Sequence, residues 1–239
     1  MSVTVTVRLV VGILCFLLGA SVVTGRADSL NHTSQNLTPY RTCTVTATPS
    51  TTTSVIDAPV QQGSPTSNFG TATTMRVSSS SGSGNQRVYI MFNLGGCNPA
   101  IPSTASVRLA TLRLYVSTVA SACRTIAVFR VTAAWTESVV TWNNQPFGTA
   151  INNPALGSAT AQFNVGIATC TNSAVGYVTG ATVTTDVAAF VAGTATNNGW
   201  MLRDSAEGSG TAFTNTFSAK NLGTLAQAPQ LVVTYVSVP

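Results

Sequence analysis

The fold is decided by two stretches of sequence: Ser106–Val119, which reads SVRLATLRLYVSTV, and Arg87–Leu94, which reads RVYIMFNL. Apolar and polar side chains alternate along both, as in a strand with one buried face and one solvated face. The positions predicted to face the core are Val88, Ile90, Phe92, Leu112, Leu114 and Val116. The positions between them, which include Arg87, Tyr89, Arg113 and Tyr115, are predicted to face outward.

The rest of the chain from Ser54 onward repeats this pattern in short segments separated by Gly, Pro, Asn and Ser. Alternating strands with turn signals at regular intervals are typical of a β-sandwich. One exception is Val187–Ala192, which can form helical turns capped by Asp186 and ended by Gly193. The sequence therefore predicts an all-β fold, a jelly-roll-type antiparallel β-sandwich with one short helix.

The composition excludes several functional classes. Of 239 residues, 11 are Lys or Arg, 6 are Asp or Glu and one is His, whereas 38 are Thr and 24 are Ser. The formal net charge of +5 reflects the scarcity of acids, and no basic run predicts a nucleic-acid partner. The chain has one histidine, His32. A multi-histidine zinc site needs more than one, and the position of His32 near the start of the chain argues against a Ser-His-Asp triad.

The first 27 residues are predicted to be a signal peptide. Arg8 precedes the apolar run Leu9–Ala20, which is short for a bilayer crossing, and small residues lead to a cleavage site after Ala27. An uncleaved anchor is the alternative. Residues 28–53 form a polar leader rich in Thr and Ser, and residues 54–239 form the β-sandwich domain. No membrane span is expected after signal cleavage, so the protein is predicted to be secreted, with association at the cell surface as the alternative to free release.

Four cysteines follow the predicted signal peptide, and an even number in an exported chain indicates two disulfides. Cys97 and Cys123 both lie at the ends of predicted strands, which favours a bridge between them. Cys43 and Cys170 would then pair by elimination. Alternatively, Cys43 is free or pairs with a second copy of the chain.

Several stretches, in this order and at this spacing, resemble the DNRLRE-domain family of secreted β-sandwich modules. They are Ser64–Val77, Ala110–Tyr115, Trp135–Glu137, Val140–Pro146, Thr185–Val187, Phe217–Lys220 and Pro229–Tyr235. The resemblance covers about Ser54 to Val236. It implies a jelly-roll-type sandwich on extracellular proteins, and some relatives bind acidic polysaccharides.

The carboxylates give little support for an enzyme. Glycoside hydrolysis needs two carboxylates that flank one bond, and the nearest pair is Asp204 and Glu207, in a loop better explained as solvated or as a calcium contact. Asp57 is a further candidate calcium contact, but no dense Asp/Asn loop accompanies it. No catalytic residue, metal site or cofactor is therefore predicted.

Two functional hypotheses remain. The first is a non-catalytic module that binds extracellular or cell-surface polysaccharide, preferably acidic, through Arg87, Tyr89, Arg113 and Tyr115, because guanidinium groups suit carboxylates and tyrosine rings stack on sugars. These four residues can equally be the solvated face of a sheet. The second is a self-associating structural subunit of a surface layer or filament, in which Cys43–Ala47 adds a strand to a neighbouring copy.

Overall fold

The computed structural model describes residues 39–47, 52–153, 157–167 and 169–237. These ranges contain twelve strands and one α-helix: β1 (Tyr40–Thr46), β2 (Val55–Gln61), β3 (Thr74–Ser79), β4 (Gln86–Phe92), β5 (Ser106–Arg113), β6 (Tyr115–Thr118), β7 (Arg124–Arg130), β8 (Ala161–Val165), β9 (Gly176–Tyr177), α1 (Thr184–Val191), β10 (Trp200–Asp204), β11 (Phe213–Ser218) and β12 (Gln230–Val236). The predicted signal peptide, residues 1–27, lies outside the described residues, as does the leader as far as residue 38.

The strands form two sheets. A three-stranded sheet has the order β1-β12-β5, and a larger sheet runs β8-β7-β10-β4-β3-β11-β6-β9, with β2 also paired to β4. Neighbouring strands are antiparallel throughout. The larger sheet folds over where β3 meets β4 at the residue pair Ser78 and Gln86. The predicted all-β sandwich with one short helix is confirmed.

The main core lies between the two layers that this fold-over creates. Strands β2, β4, β10, β7 and β8 form the inner layer, and β3, β11, β6 and β9 form the outer layer, flanked by the three-stranded sheet. The six core positions predicted from alternation each have at most 1 % of their surface exposed. Their burial fixes the register, because a slip of one residue would turn every one of them to the opposite face.

A second hydrophobic cluster covers the back of the inner layer. The covering loop, residues 131–153, follows β7 and lies over the face of β4, β7 and β10 that points away from the main core. Val140 and Trp142 of the covering loop pack against Tyr89, Phe129 and Met201. The inner layer is therefore buried on both faces, and the outer layer keeps one face open to solvent.

The two disulfides differ from the predicted pairing. Cys43 is bonded to Cys97, and Cys123 is bonded to Cys170. The prediction of a Cys97–Cys123 bridge was wrong because the chain does not return to the same sheet edge after Cys97: β5 joins β12 in the three-stranded sheet. The assignment of Cys43 to Cys170 fails with it.

Local packing explains the observed bridges. Gly96 lies against the side chain of Val45 in β1, which places Cys97 beside Cys43. At the other bridge, Gly166 packs so closely on Ala122 that a β-carbon there would lie 2.0 Å from the Ala122 carbonyl oxygen. The turn that leads to Cys170 is thereby held beside Cys123.

The sequence-based hypothesis of a self-associating subunit has Cys43–Ala47 adding a strand to a neighbouring copy. The segment lies instead in and directly after β1, where Tyr40–Thr46 pairs with β12 of the same chain. Among the described residues, no helix has the length and apolar character of a bilayer crossing.

The helix begins two residues before the predicted cap. Asp186 lies in the first turn of α1, and its buried carboxylate accepts hydrogen bonds from the Trp200 indole and the Thr160 hydroxyl, both at 2.8 Å. Asp186 therefore connects the helix to the inner layer rather than capping its N-terminus.

Candidate functional site

Two of the four residues predicted to bind ligand are buried. Arg87 and Tyr89 both have no exposed surface, so the prediction that they face solvent was wrong. Alternation along β4 correctly separated them from the main core. It gave no sign that the covering loop would seal the opposite face of the strand. No glycan can reach either side chain in this fold.

Arg87 is the centre of a buried polar network. Its guanidinium forms two hydrogen bonds with the Glu207 carboxylate, at 2.7 and 2.8 Å, and lies 4.6 Å from the centre of the Trp142 ring. The same group donates to the backbone carbonyls of Gly148 and Ala150. Arg87 therefore fastens the covering loop to β4 and to the segment after β10.

The carboxylates of Asp204 and Glu207 are both engaged in ion pairs, so neither is available for catalysis or calcium binding. Glu207 is held by Arg87, and Asp204 accepts two 2.8 Å hydrogen bonds from the Arg124 guanidinium. Both carboxylates have only about 1 % of their side-chain surface exposed. Their role is to compensate buried arginine charge, because an unpaired buried charge is costly.

Arg113 and Tyr115 lie on the open face, as the alternation predicts, and a third residue joins them. The Tyr177 ring of β9 packs edge-on against Tyr115, with 5.4 Å between centroids. The Arg113 guanidinium lies 4.5 Å from the centre of the Tyr177 ring and donates a 3.0 Å hydrogen bond to Gln230. We call Arg113, Tyr115, Tyr177 and Gln230 the tyrosine patch.

The tyrosine patch is held in place by the backbone. The Tyr177 hydroxyl donates a 2.9 Å hydrogen bond to the Ala228 carbonyl, and partial burial raises the pKa of Tyr177 above its usual value. Only Nη1 of Arg113 is engaged by another described side chain, so its remaining N–H groups stay available at the surface. The arrangement combines a fixed aromatic surface with hydrogen-bond donors that carry positive charge.

Sequence reasoning missed Tyr177 because of its strand. Strand β9 contains two residues, Gly176 and Tyr177, and so has no alternation to detect. Its position follows from the pairing of Tyr177 with Tyr115, a long-range contact that no local pattern encodes.

A second cluster of charged groups joins strand β2 to two of the stretches that carried the resemblance. The Lys220 ammonium donates to the Glu137 carboxylate at 2.8 Å, and the other oxygen of that carboxylate accepts the backbone N–H of Asp57 at 3.0 Å. The backbone N–H of Lys220 donates to Asp57 at 2.8 Å. The family-like residues Glu137 and Lys220 thus hold the covering loop, β2 and the segment after β11 together.

Burial strongly perturbs Asp57. Loss of solvent raises the pKa of its carboxyl from 3.8 to about 7; the Glu137 charge adds to the rise, and the hydrogen bond from Lys220 opposes it. Within the described ranges, no group of three or more His, Cys, Asp or Glu side chains is placed to hold a metal ion. The cluster is suited to joining segments rather than to coordinating calcium.

Trp135 and Trp142 are the two tryptophans of the covering loop. Trp142 is 3 % exposed, and the Trp135 indole packs on Tyr89 with 5.5 Å between ring centroids. The Trp135 N–H donates to the Asn198 carbonyl. Both rings therefore belong to the hydrophobic cover of the inner layer.

Comparison with known families places most of the folded chain in a carbohydrate-binding family. The model of carbohydrate-binding module family 96 matches residues 48–235, which span both layers and the tyrosine patch. A search of the curated proteins returns no match. The match supports the carbohydrate-binding part of the resemblance drawn from the sequence, and it gives no separate support to the DNRLRE name.

Proposed function

We propose that this chain, which belongs to carbohydrate-binding module family 96, binds acidic polysaccharide outside the cell and does not catalyse a reaction. The match over residues 48–235 carries the proposal, because it covers nearly all of the folded chain. Function in such a module depends on an accessible surface rather than on reacting groups. The open face of the outer layer offers that surface, and the covering loop occupies the corresponding face of the inner layer.

The tyrosine patch is the proposed contact surface. Tyrosine rings combine a large apolar area with a polar hydroxyl, and few side-chain torsions must be fixed when they bind. The partially exposed rings of Tyr115 and Tyr177 suit the apolar face of a pyranose. Arg113, which lies against Tyr177, provides donors for a carboxylate on the same or the next sugar.

The preference for acidic glycans rests on charge. The chain carries 11 basic and 6 acidic residues, and buried arginines neutralise Asp204 and Glu207. Arg113 is paired with a neutral amide and an aromatic ring, and no carboxylate among the described residues pairs with its charge. A planar guanidinium matches a sugar carboxylate with two parallel hydrogen bonds.

Affinity electrophoresis tests this proposal with polygalacturonate as the acidic polymer and hydroxyethyl cellulose as the neutral one. Wild-type protein should be retarded by polygalacturonate and hardly by the neutral polymer. Arg113→Met and Tyr115→Ala should each weaken the retardation. Arg108→Met removes an exposed arginine outside the patch and is the matched control. Equal mobility of wild type in both gels would contradict the acidic preference.

Secretion is also part of the proposal. Two disulfides and a carbohydrate-binding family support an extracellular location, since disulfides persist in oxidising compartments. N-terminal sequencing of the protein from culture medium should give Asp28 as the first residue. A product that begins before Arg8 would argue for an uncleaved anchor.

The alternative function is a self-associating structural subunit. Strand β1 supports it, because β1 is at the end of its three-stranded sheet and pairs there with β12 alone among the described strands. An exposed strand edge can pair with another chain. Sedimentation velocity over a range of concentrations distinguishes the two functions: a monomer that binds polysaccharide supports the module, and a concentration-dependent polymer supports the subunit.

A further inference from the structure

A small polar cleft lies at the edge of the sandwich where the inner and outer layers separate. It has a volume of about 200 Å³ and lies between β2 and β3, with β4 at its base. Its lining residues are Pro59, Gln61, Ala72, Thr74, Arg76 and Gln86. The cleft is separate from the tyrosine patch, because β11 lies between β3 and β6.

The polar side chains of this cleft lack partners within the fold. In the described part of the chain, the side chains of Gln61, Thr74, Arg76 and Gln86 form no hydrogen bond or ion pair with other residues. Oε1 of Gln86 is fully buried and has no hydrogen-bond partner. That atom has no accessible surface, so a ligand in the cleft does not contact it; the exposed polar atoms of the lining are the groups available to a ligand or water.

Three other arginines in polar surroundings are already paired with carboxylates. Arg124 and Arg87 bind carboxylates, and Arg130, which lines another cleft, lies 3.5 Å from Asp186. Arg76 is exposed on β3, and no carboxylate lines its cleft. The cleft therefore presents an uncompensated positive charge together with two amides and a hydroxyl.

We propose that this cleft is a binding subsite for a single carboxylated sugar residue. Arg76 binds the sugar carboxylate through paired N–H groups, and the exposed polar atoms of Gln61, Thr74 and Gln86 bind ring hydroxyls. The volume is below the roughly 300–1,000 Å³ of pockets for drug-sized ligands, which limits the occupant to about one ring. The choice of a sugar rests on the proposed function, whereas the choice of a carboxylate rests on the cleft itself.

Nuclear magnetic resonance of the full secreted chain tests the subsite, with glucuronate as the probe and glucose as its uncharged counterpart. The side-chain amide signals of Gln61 and Gln86 should shift with glucuronate and much less with glucose. The amide of Gln145 is the internal control, because it is buried and donates to the Trp142 carbonyl.

Arg76→Met removes the guanidinium without adding an amide signal. It should weaken glucuronate binding about tenfold or more, as expected for the loss of hydrogen bonds to a charged group. Arg108→Met, on another exposed strand position, should leave the binding unchanged. Equal weakening by the two variants would show general charge attraction and would overturn the subsite.

The outcomes separate this subsite from the proposed function. Retardation by polygalacturonate without glucuronate-dependent shifts at Gln61 and Gln86 would overturn the subsite and leave polysaccharide binding in place. Shifts that disappear in Arg76→Met would support the subsite even if wild-type protein showed no retardation, a result that would overturn the proposed function alone.

Discussion

At the scale of single residues, Arg87 shows how a side chain that looks suited to a ligand can instead hold the fold together. Its five N–H groups face Glu207, Gln145 and two backbone carbonyls, and the Trp142 ring lies alongside. Full pairing makes a buried guanidinium tolerable. Removal of Glu207 leaves the buried Arg87 charge without a carboxylate, and removal of Arg87 leaves Glu207 with only the longer 3.8 Å ion pair to Arg203.

Arg87→Met should therefore lower the free energy of unfolding by about 3–5 kcal/mol. The double variant Arg87→Met/Glu207→Gln should lose less than the sum of the two single variants, because the Arg87–Glu207 pair is removed as a whole, whereas the 3.8 Å contact of Arg203 with Glu207 is lost in both variants that carry Glu207→Gln. Urea unfolding followed by tryptophan fluorescence measures the differences. Arg108→Met is the exposed control and should stay within about 0.5 kcal/mol of wild type. A small effect of Arg87→Met would mean that the covering loop does not depend on this network.

The raised pKa of Asp57 predicts that the free energy of unfolding depends on pH. Its pKa is about 7 in the folded chain, raised by burial, against 3.8 when unfolded. Between these values the folded state holds a proton that the unfolded state has released, so stability falls as pH rises through this window. Asp57→Asn keeps an acceptor for the Lys220 N–H and does not ionise.

The stability of Asp57→Asn relative to wild type should therefore increase by on the order of 1.4 kcal/mol per pH unit between about pH 4 and pH 7, and then level off. Urea unfolding of both proteins at several pH values from about 4 to 8 measures this difference. The neighbouring charges of Glu137 and Lys220 are retained in both proteins. A constant difference across the range would show that Asp57 remains ionised in the fold.

At the scale of elements, the sequence predicted the side of each strand that faces the main core but not what covers the other side. Alternation in β4 and β5 placed Val88 and Leu114 correctly, because period two is a local property of a strand. The burial of Arg87 depends on a loop whose contacting residue, Gly148, lies 61 residues further along the chain. For the same reason Arg113 and Tyr115 were placed on the open face, whereas Tyr177, in a two-residue strand, was not found.

The register of β5 and β6 can be tested at Leu114, which is fully buried between them. Leu114→Ala should cost roughly 2–5 kcal/mol through lost burial and the cavity that remains. Thr111→Ala, at a partly exposed position on the opposite face of β5, should change stability by less than about 1 kcal/mol. If urea unfolding gave similar losses of stability for the two variants, the assignment of the Leu114 face to the core would be wrong.

The disulfides act between elements: one joins β1 to the turn after β4, and the other joins the start of β7 to the turn after β8. Peptide mapping without reduction should yield Cys43–Cys97 and Cys123–Cys170 peptides. The Cys123→Ser/Cys170→Ser double variant should lose roughly 4 kcal/mol in the chain-entropy treatment of a loop this long. A Cys97–Cys123 peptide, or a linked pair of Cys43 peptides, would contradict the observed connectivity.

At the scale of the whole molecule, few charges are present and they are unequally distributed. The acids near Arg87, Arg124 and Lys220 are engaged in ion pairs, whereas Arg76 and Arg113 remain on the open side without a carboxylate partner in the described contacts. An excess of positive charge on one side of the molecule favours polyanions, and mobile ions screen the attraction.

Retardation by polygalacturonate should therefore fall steeply as the salt concentration rises from about 0.05 M to 0.5 M, because the screening length shortens to a few ångströms. Weak retardation by hydroxyethyl cellulose should change little over the same range. Affinity electrophoresis in parallel gels makes the comparison. Salt-independent binding to polygalacturonate would indicate stacking on tyrosine without a contribution from charge.

The pairing of the first and last strands has a mechanical consequence. Tyr40 lies opposite Val236, so the described chain enters and leaves the sandwich at the same edge. A pulling force applied to the two ends would peel β1 from β12 one residue pair at a time. Peeling can open only the pairs of Tyr40, Arg41 and Thr42 before it reaches Cys43, where the covalent bond to Cys97 passes the load to the opposite layer. The module would extend slightly under tension and then resist.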